Sequence, residues 1–278
     1  MEVVNLAFYK FVDLNNLSDL RVKLKMICQH LSLKGTILLS SEGINGTIAG
    51  SSSAIGEFKT FVEKDSRFSK LPYKESLSDY QPFTRMLVKL KKEIIPLGMP
   101  EIKPGQTPAP SISPKQFKEW LDQKKDIVIL DARNKYEVKV GTFEGAIDLG
   151  IKHFRGFPEK VRALPEALKK KTVVTFCTGG IRCEKAAPLL IKYGFEDVYQ
   201  LDGGILRYFE QCGSAHYKGD CFVFDYRVAI DGQLKETDVA HCHGCQTPVT
   251  VEEQKSPHYI PGKSCPSCGL SPTGNYSR

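Results

Sequence analysis

Thr172-Val173-Val174-Thr175-Phe176 runs directly into Cys177-Thr178-Gly179-Gly180-Ile181-Arg182-Cys183. The β-branched run predicts a strand, the glycines a tight loop, and the residues after them a helix. Paired glycines let the backbone curl so that successive N–H groups point inward, forming an anion-binding nest. The following helix adds the positive end of its dipole. A thiol held there ionises more readily, and the thiolate is the reactive form. The plainer alternative is a cysteine buried at a strand end beside a turn. The two glycines favour the nest.

Outward from this loop, residues 114–212 alternate between strands and helices. Ser113-Pro114 opens a helix with proline at its first position, running to Gln123. Asp126 to Leu130 reads as a buried strand leading into Asp131-Ala132-Arg133. A helix over Pro158 to Lys170, the strand 172–176, a helix from Arg182 to Tyr193, a strand over Val198 to Leu201 and a helix from Ile205 to Gln211 complete the unit. Such alternation predicts a parallel sheet covered on both faces. Chemistry in such sheets sits outside the carboxyl ends of the strands, where Cys177 lies. Asp131 and Arg133 are read as an intradomain ion pair rather than as catalysts. Arg182 either charges the loop or fixes the helix start through a salt bridge. Cys183 is expected to pack inward, with resolution of an oxidised Cys177 as its alternative.

Residues 1–96 read as βαββαβ, a ferredoxin-like unit. Its elements are a strand from Asn5 to Val12, a helix from Leu17 to Leu33 closed by Gly35, and a strand over Thr36 to Leu39. A turn spanning Ser41 to Gly46, a return strand over Thr47 to Gly50, a helix from Ser53 to Lys64 and a final strand from Met86 to Leu90 follow. Residues 97–113 are proline-rich and read as a linker. Arg85, Lys89, Lys91 and Lys92 make a basic strand end, read first as a solvated face and second as a phosphate contact.

Residues 213–278 carry little apolar periodicity. They hold Cys242-His243-Gly244-Cys245 and Cys265-Pro266-Ser267-Cys268, with 19 residues between the pairs. Two such knuckles offer four thiolates to one tetrahedral ion, and the spacing is that of structural zinc modules. The segment is too polar to fold by core burial, so Cys242, Cys245, Cys265 and Cys268 are expected to hold a structural zinc. Four reduced thiols without metal are the alternative.

The whole chain has 278 residues, a net charge of +7 and nine cysteines. No apolar run approaches the roughly 20 residues of a bilayer span, and the first residues lack the pattern of a signal peptide. Reduced thiols and a cytoplasmic location are therefore expected. The positive charge suits a polyanionic partner such as RNA.

The stretch around Cys177 resembles the active loop of the rhodanese superfamily. Leu130-Asp131-Ala132-Arg133-Asn134-Lys135-Tyr136-Glu137, Gly145-Ala146-Ile147 and Leu201-Asp202-Gly203-Gly204-Ile205 look like that family's other signatures, in order. The resemblance implies a rhodanese-type α/β domain with Cys177 as catalytic cysteine and Thr178, Gly179, Gly180, Ile181 and Arg182 as its loop. Cysteine-dependent phosphatases use Cys-x5-Arg, whereas this loop is Cys-x4-Arg, a smaller ring better suited to a persulfide sulfur than to a phosphoryl group.

Ser41-Glu42-Gly43-Ile44-Asn45-Gly46-Thr47 before this domain, and Gly219-Asp220-Cys221-Phe222-Val223-Phe224-Asp225-Tyr226-Arg227-Val228 after it, extend the likeness over nearly the full length. The combination is similar to the bacterial tRNA uridine-34 hydroxylase family. What that implies is oxygen-dependent conversion of the wobble uridine of tRNA to 5-hydroxyuridine, with molecular oxygen as co-substrate. The sequence contains no flavin fingerprint, haem motif or two-His-one-carboxylate iron set. The alternatives are a sulfurtransferase passing persulfide sulfur from Cys177, and a non-enzymatic RNA-binding module.

Overall fold

In the computed structural model, residues 2–104 and 109–269 are described. The N-terminal unit is built from β1 (Val3–Phe11), α1 (Leu17–His30), β2 (Lys34–Ser40), β3 (Gly43–Gly50), α2 (Ser52–Glu63), β4 (Tyr73–Ser78) and β5 (Met86–Leu90). The sheet order is β4-β1-β3-β2-β5, antiparallel except where β5 joins β2 in parallel. The first four strands have the ferredoxin-like arrangement. The closing strand is therefore β4, which sequence periodicity missed. Its Lys-Glu-Ser-Leu-Ser composition lacks a β-branched signal, and tertiary pairing with β1 holds it as a strand. Met86–Leu90 is instead an added edge strand.

Two further expectations are corrected here. The hairpin turn is only Ser41-Glu42, because Gly43 to Gly46 already pair with β1 and β2. Gly35 is no helix cap: α1 ends at His30, and Ser32 takes the left-handed conformation at φ 53°. Gly35 lies inside β2 at φ 136°, where a Cβ would stand 2.2 Å from the Thr47 carbonyl oxygen. Leu20, Leu24 and Cys28 of α1 and Ile55, Phe58 and Val62 of α2 cover one sheet face. Val22 and Met26 of α1 face outward.

The second unit contains β6 (Ser111–Ile112), α3 (Pro114–Asp122), β7 (Ile127–Asp131), α4 (Lys135–Val138), β8 (Gly141–Phe143), β9 (Ile147–Asp148), α5 (Phe157–Arg162), β10 (Thr172–Phe176), α6 (Cys183–Lys192), β11 (Asp197–Leu201) and α7 (Gly204–Cys212). Its sheet is parallel, in the order β6-β11-β10-β7-β9. The helix expected over 158–170 is two pieces: α5, then a 3-10 turn at Glu166–Lys170. Pro165 separates them, since it donates no N–H and pushes Leu164 away from helical geometry.

The described parts of the proline-rich stretch, 97–104 and 109–113, pack rather than hang free. Leu97, Ile102 and Ala109 are buried in the same core as Leu130, Val173 and Leu189. Proline resists a helix but suits an extended segment laid along a surface. Pro108 lies outside the described residues. The remaining elements are short: β12 (Tyr217–Gly219), which pairs with β8, then β13 (Cys221–Phe222), β14 (Ala229–Ile230), β15 (Ala240–His241), β16 (Pro248–Val249), α8 (Val251–Gln254) and α9 (Pro266–Gly269).

The first two units are joined by a buried lysine. Lys185 of α6 is 1% exposed, and its ammonium lies 2.8 Å from both Glu42 and Glu93 and 3.0 Å from the Ile95 carbonyl. Glu93 also accepts the Leu97 and Gly98 N–H groups. Burial pushes the Glu93 carboxyl up, but Lys185 and these amides outweigh it and hold it below its ordinary value. That contribution to stability is present above the ordinary carboxylate pKa of about 4.3 and is lost as pH falls through the lower folded value. Replacing Lys185 by Met leaves two partly buried carboxylates uncompensated, which should cost ~2 kcal/mol, at or below the low end for a broken buried pair because both remain part-solvated. Urea unfolding checks this; an unchanged midpoint contradicts the bridging role.

Candidate active site

β10 ends at Phe176 and places Cys177 at the carboxyl edge of the sheet, fully buried. The loop turns through Gly180 at φ 96° and enters α6 at Cys183. The Gly180 N–H donates to Cys177 Sγ at 3.1 Å. The Arg182 backbone and the Cys183 side chain lie close by and act on its ionisation. Burial pushes the Cys177 thiol up, but the Cys183 thiol, the Arg182 charge and the two amides overcome it and bring the pKa to about 5. Cys183 moves the other way, raised well above the ordinary thiol value by burial and by the neighbouring thiolate. The pair thus shares one negative charge, resident on Cys177.

The loop is held from below by the start of α7. The Ile205 and Leu206 N–H groups donate to the Cys177 and Thr178 carbonyls, both at 3.0 Å. This fixes the first two peptide planes of the loop with their carbonyls toward α7. Gly204 has to be glycine, since a Cβ there would stand 2.4 Å from the Cys177 carbonyl oxygen.

Arg182 is tied into the site by a buried salt bridge. Its guanidinium makes a two-pronged pair with Glu137, at 2.6 and 2.7 Å, with both side chains buried. It also lowers the Cys177 pKa. Glu137 is itself fixed as the third residue of α4, where it accepts the Asn134 N–H at 3.0 Å. Asp131 and Arg133 form the expected structural ion pair, at 2.6 Å, with both side chains fully buried. Thr142 and the Gly141 carbonyl satisfy the remaining atoms of that pair.

The N-terminal unit roofs the loop. The Lys74 ammonium, on β4, donates to the Gly179 carbonyl at 2.9 Å and lies 5.2 Å from the centre of the Tyr9 ring. Tyr9 on β1 donates to Glu184 at 3.3 Å. Burial pushes the Lys74 pKa down, while the Cys177 charge opposes that shift. Sequence reading found neither residue, because nothing local in Tyr9 or Lys74 points across to a loop more than 100 positions away.

Between the roof and the loop lies a cavity of about 520 Å³. Cys177, Arg182 and Lys74 supply its polar lining, while Phe83, Phe154 and Phe224 supply apolar walls. Its volume is that of a small-ligand site. A buried thiolate beside fixed N–H donors and an ammonium can act as a nucleophile and can stabilise a second anion formed next to it.

The four C-terminal cysteines also converge. The sulfurs of Cys242, Cys245, Cys265 and Cys268 all lie within 4.8 Å of one another. Individual separations are 3.5 Å for Cys245–Cys265, 3.7 Å for Cys242–Cys268 and 3.9 Å for Cys265–Cys268. A tetrahedral ion with metal–sulfur bonds of about 2.3 Å requires sulfurs about 3.8 Å apart, so the set fits one. Among the described residues, His241, His243 and His258 lie outside this cluster.

The thiolate assignment predicts a titration. Near-ultraviolet thiolate absorbance, taken as a difference from Cys177→Ser, should be complete above pH 6 and fall as pH passes down through about 5. Cys183→Ala should move that midpoint upward by removing a donor. A midpoint near the ordinary thiol value of about 8.5 contradicts the geometry.

Comparison with known proteins agrees with this architecture. Residues 3–94 match the UPF0176 acylphosphatase-like domain, and residues 113–211 match the rhodanese-like domain. A tRNA uridine(34) hydroxylase of Cupriavidus necator is 52% identical over 273 residues, covering 96% of this chain and 97% of that protein. Proteins of the same name from Burkholderia ambifaria and Ralstonia nicotianae are each 50% identical, covering 96% of this chain and 98% and 97% of theirs. Identity of this extent, over nearly the whole chain, places the chain in the tRNA uridine(34) hydroxylase family.

Proposed function

We propose that the chain hydroxylates the wobble uridine of tRNA at C5, with Cys177 as the catalytic residue. The observation that carries this is Cys177 buried at the floor of a cavity roofed by a second domain, its Sγ accepting the Gly180 N–H. An exposed sulfur-carrier loop needs no such roof. A nucleobase drawn out of an RNA loop needs an enclosed pocket with polar and apolar walls.

The chemistry of the chain's own residues is activation of the base. The thiolate adds to C6 of the uracil, forming a C–S bond, and the C5–C6 electron pair moves toward C5 and the O4 oxygen. Lys74 and the loop amides are placed to balance that negative charge. C5 then takes one oxygen atom of molecular oxygen. The other leaves as water, with two electrons and two protons from a reductant, and loss of the C5 proton expels the thiolate. Thr178, Gly179, Gly180, Ile181 and Arg182 hold the sulfur in place throughout.

The four-cysteine module holds a structural zinc in this reading. Its sulfur separations support it, and the buried parts of the module consist of little besides Cys242, Val249 and Cys265. Zinc there would supply folding stability and no reaction step. The charge of +7 and the exposed Arg85, Lys89, Lys91 and Lys92 support tRNA as substrate, and a cytoplasmic location follows from that substrate. Among the described residues no helix is long and apolar enough to cross a membrane.

Cys177→Ser should reduce hydroxylation of an anticodon stem-loop by at least a thousandfold while leaving RNA affinity within threefold, as expected when a covalent nucleophile is removed. Full activity in that variant refutes the catalytic role, and a thiolated product from the wild type supports sulfur transfer instead. Metal analysis should find one zinc per chain, and chelation should loosen residues 240–269 to protease while β10 and α6 stay protected. A metal-free chain with an ordered C-terminal module refutes the zinc assignment.

A further inference from the structure

A second depression, of about 390 Å³, lies on the far side of one wall of the cavity. Thr36, Phe83, Val223, Phe224 and Asp225 line both spaces. Beyond this shared wall the second depression is bounded by Arg85 on the N-terminal unit, by Tyr226, and by Gln246 of the cysteine module. Three parts of the chain therefore meet around it.

Two aromatic rings of this depression face solvent. Phe224 and Tyr226 are each 58% exposed, although neighbouring Phe222 is buried. Phe224 is buttressed edge-on by Phe222 at 5.1 Å, and Phe222 by Tyr136 at 5.3 Å. The loop that presents them is fixed at several points. Asp225 and Arg227 form a buried ion pair at 2.6 Å, Arg227 donates to Ser76 at 2.8 Å, and the Tyr226 N–H donates to the Pro82 carbonyl at 3.1 Å. Val228, a β-branched residue, sits at φ 60°, a conformation that persists only where its surroundings enforce it. Holding two large rings in water on a strained, pinned loop has no benefit for the core. It provides rigid stacking faces.

The charge around those faces decides the partner. Arg85 stands exposed at the rim, and Lys89, Lys91 and Lys92 continue the cationic edge along and just beyond β5. Two exposed aromatic rings with an arginine beside them match a nucleobase and its phosphate. We infer that this depression is a second nucleobase subsite, taking the nucleotide that adjoins the target uridine. The inference rests on the RNA reading of the first cavity. Drawing the uridine into that cavity breaks its stack with its neighbour, and the freed base face then stacks on Phe224 across the shared wall.

The test uses the whole protein and an RNA hairpin with the target uridine in its loop and 2-aminopurine at the adjoining nucleotide. Binding to the wild type should quench the 2-aminopurine several-fold. Phe224→Trp should retain the quench, and Phe224→Ala should abolish it. Phe224→Ala should also raise KM about tenfold, the size expected for losing one base–aromatic stack. An RNA abasic at the adjoining position should raise the wild-type KM equally and make Phe224→Ala silent, a result that needs no variant to fold. Arg85→Ala should raise KM and flatten its salt dependence. An unquenched probe on the wild type, or an unchanged KM in Phe224→Ala, overturns the subsite. Quenching without hydroxylation supports the subsite while refuting the proposed reaction.

Discussion

The Lys185 ammonium, enclosed by Glu42, Glu93 and the Ile95 carbonyl, is the constraint on which the site depends. Lys185 lies on the helix that begins at the cysteine loop, and both carboxylates belong to the strand–turn edge of the N-terminal sheet. A lysine drawn out of water stays charged only if its partners stay in place. The bridge therefore sets the distance between loop and roof, and with it the shape of the cavity. Lys74 and Tyr9 reach the loop from strands that this bridge holds in position.

Around the loop, the two buried guanidinium charges are each matched by a carboxylate. Arg182 is neutralised by Glu137, and Arg133 by Asp131. Lys74 has the Gly179 carbonyl and the Tyr9 ring face as its close partners. Its charge is therefore available to the Cys177 thiolate and to any anion formed beside it. Burial alone would keep Cys177 protonated. The Cys183 side chain, the Arg182 guanidinium and the loop amides reverse that.

Much of this was legible in the sequence. The loop, the parallel alternation around it and the paired cysteine knuckles are local patterns, set by glycine geometry, β-branched runs and ligand spacing. β4 was not legible, because Tyr73–Ser78 is a strand only through its pairing with β1. The packing of Leu97 and Ile102 was hidden by the prolines around them. Tyr9, Lys74, Glu42 and Glu93 carry no local mark of their role, since each acts across the domain junction. Glu137 lay inside a quoted motif, yet its pairing with Arg182 spans 45 positions and only the fold reveals it.

The central claim is that the enclosed Cys177 thiolate activates a uracil base for hydroxylation. The most direct measurement is mass spectrometry of wobble nucleosides in tRNA from cells lacking the gene, complemented with wild-type chain or with Cys177→Ser. The account predicts that the mass of one added oxygen on the wobble uridine disappears on deletion, returns with the wild type and stays absent with Cys177→Ser. Persistence of the modification in the deleted strain, or its full return with Cys177→Ser, would contradict it.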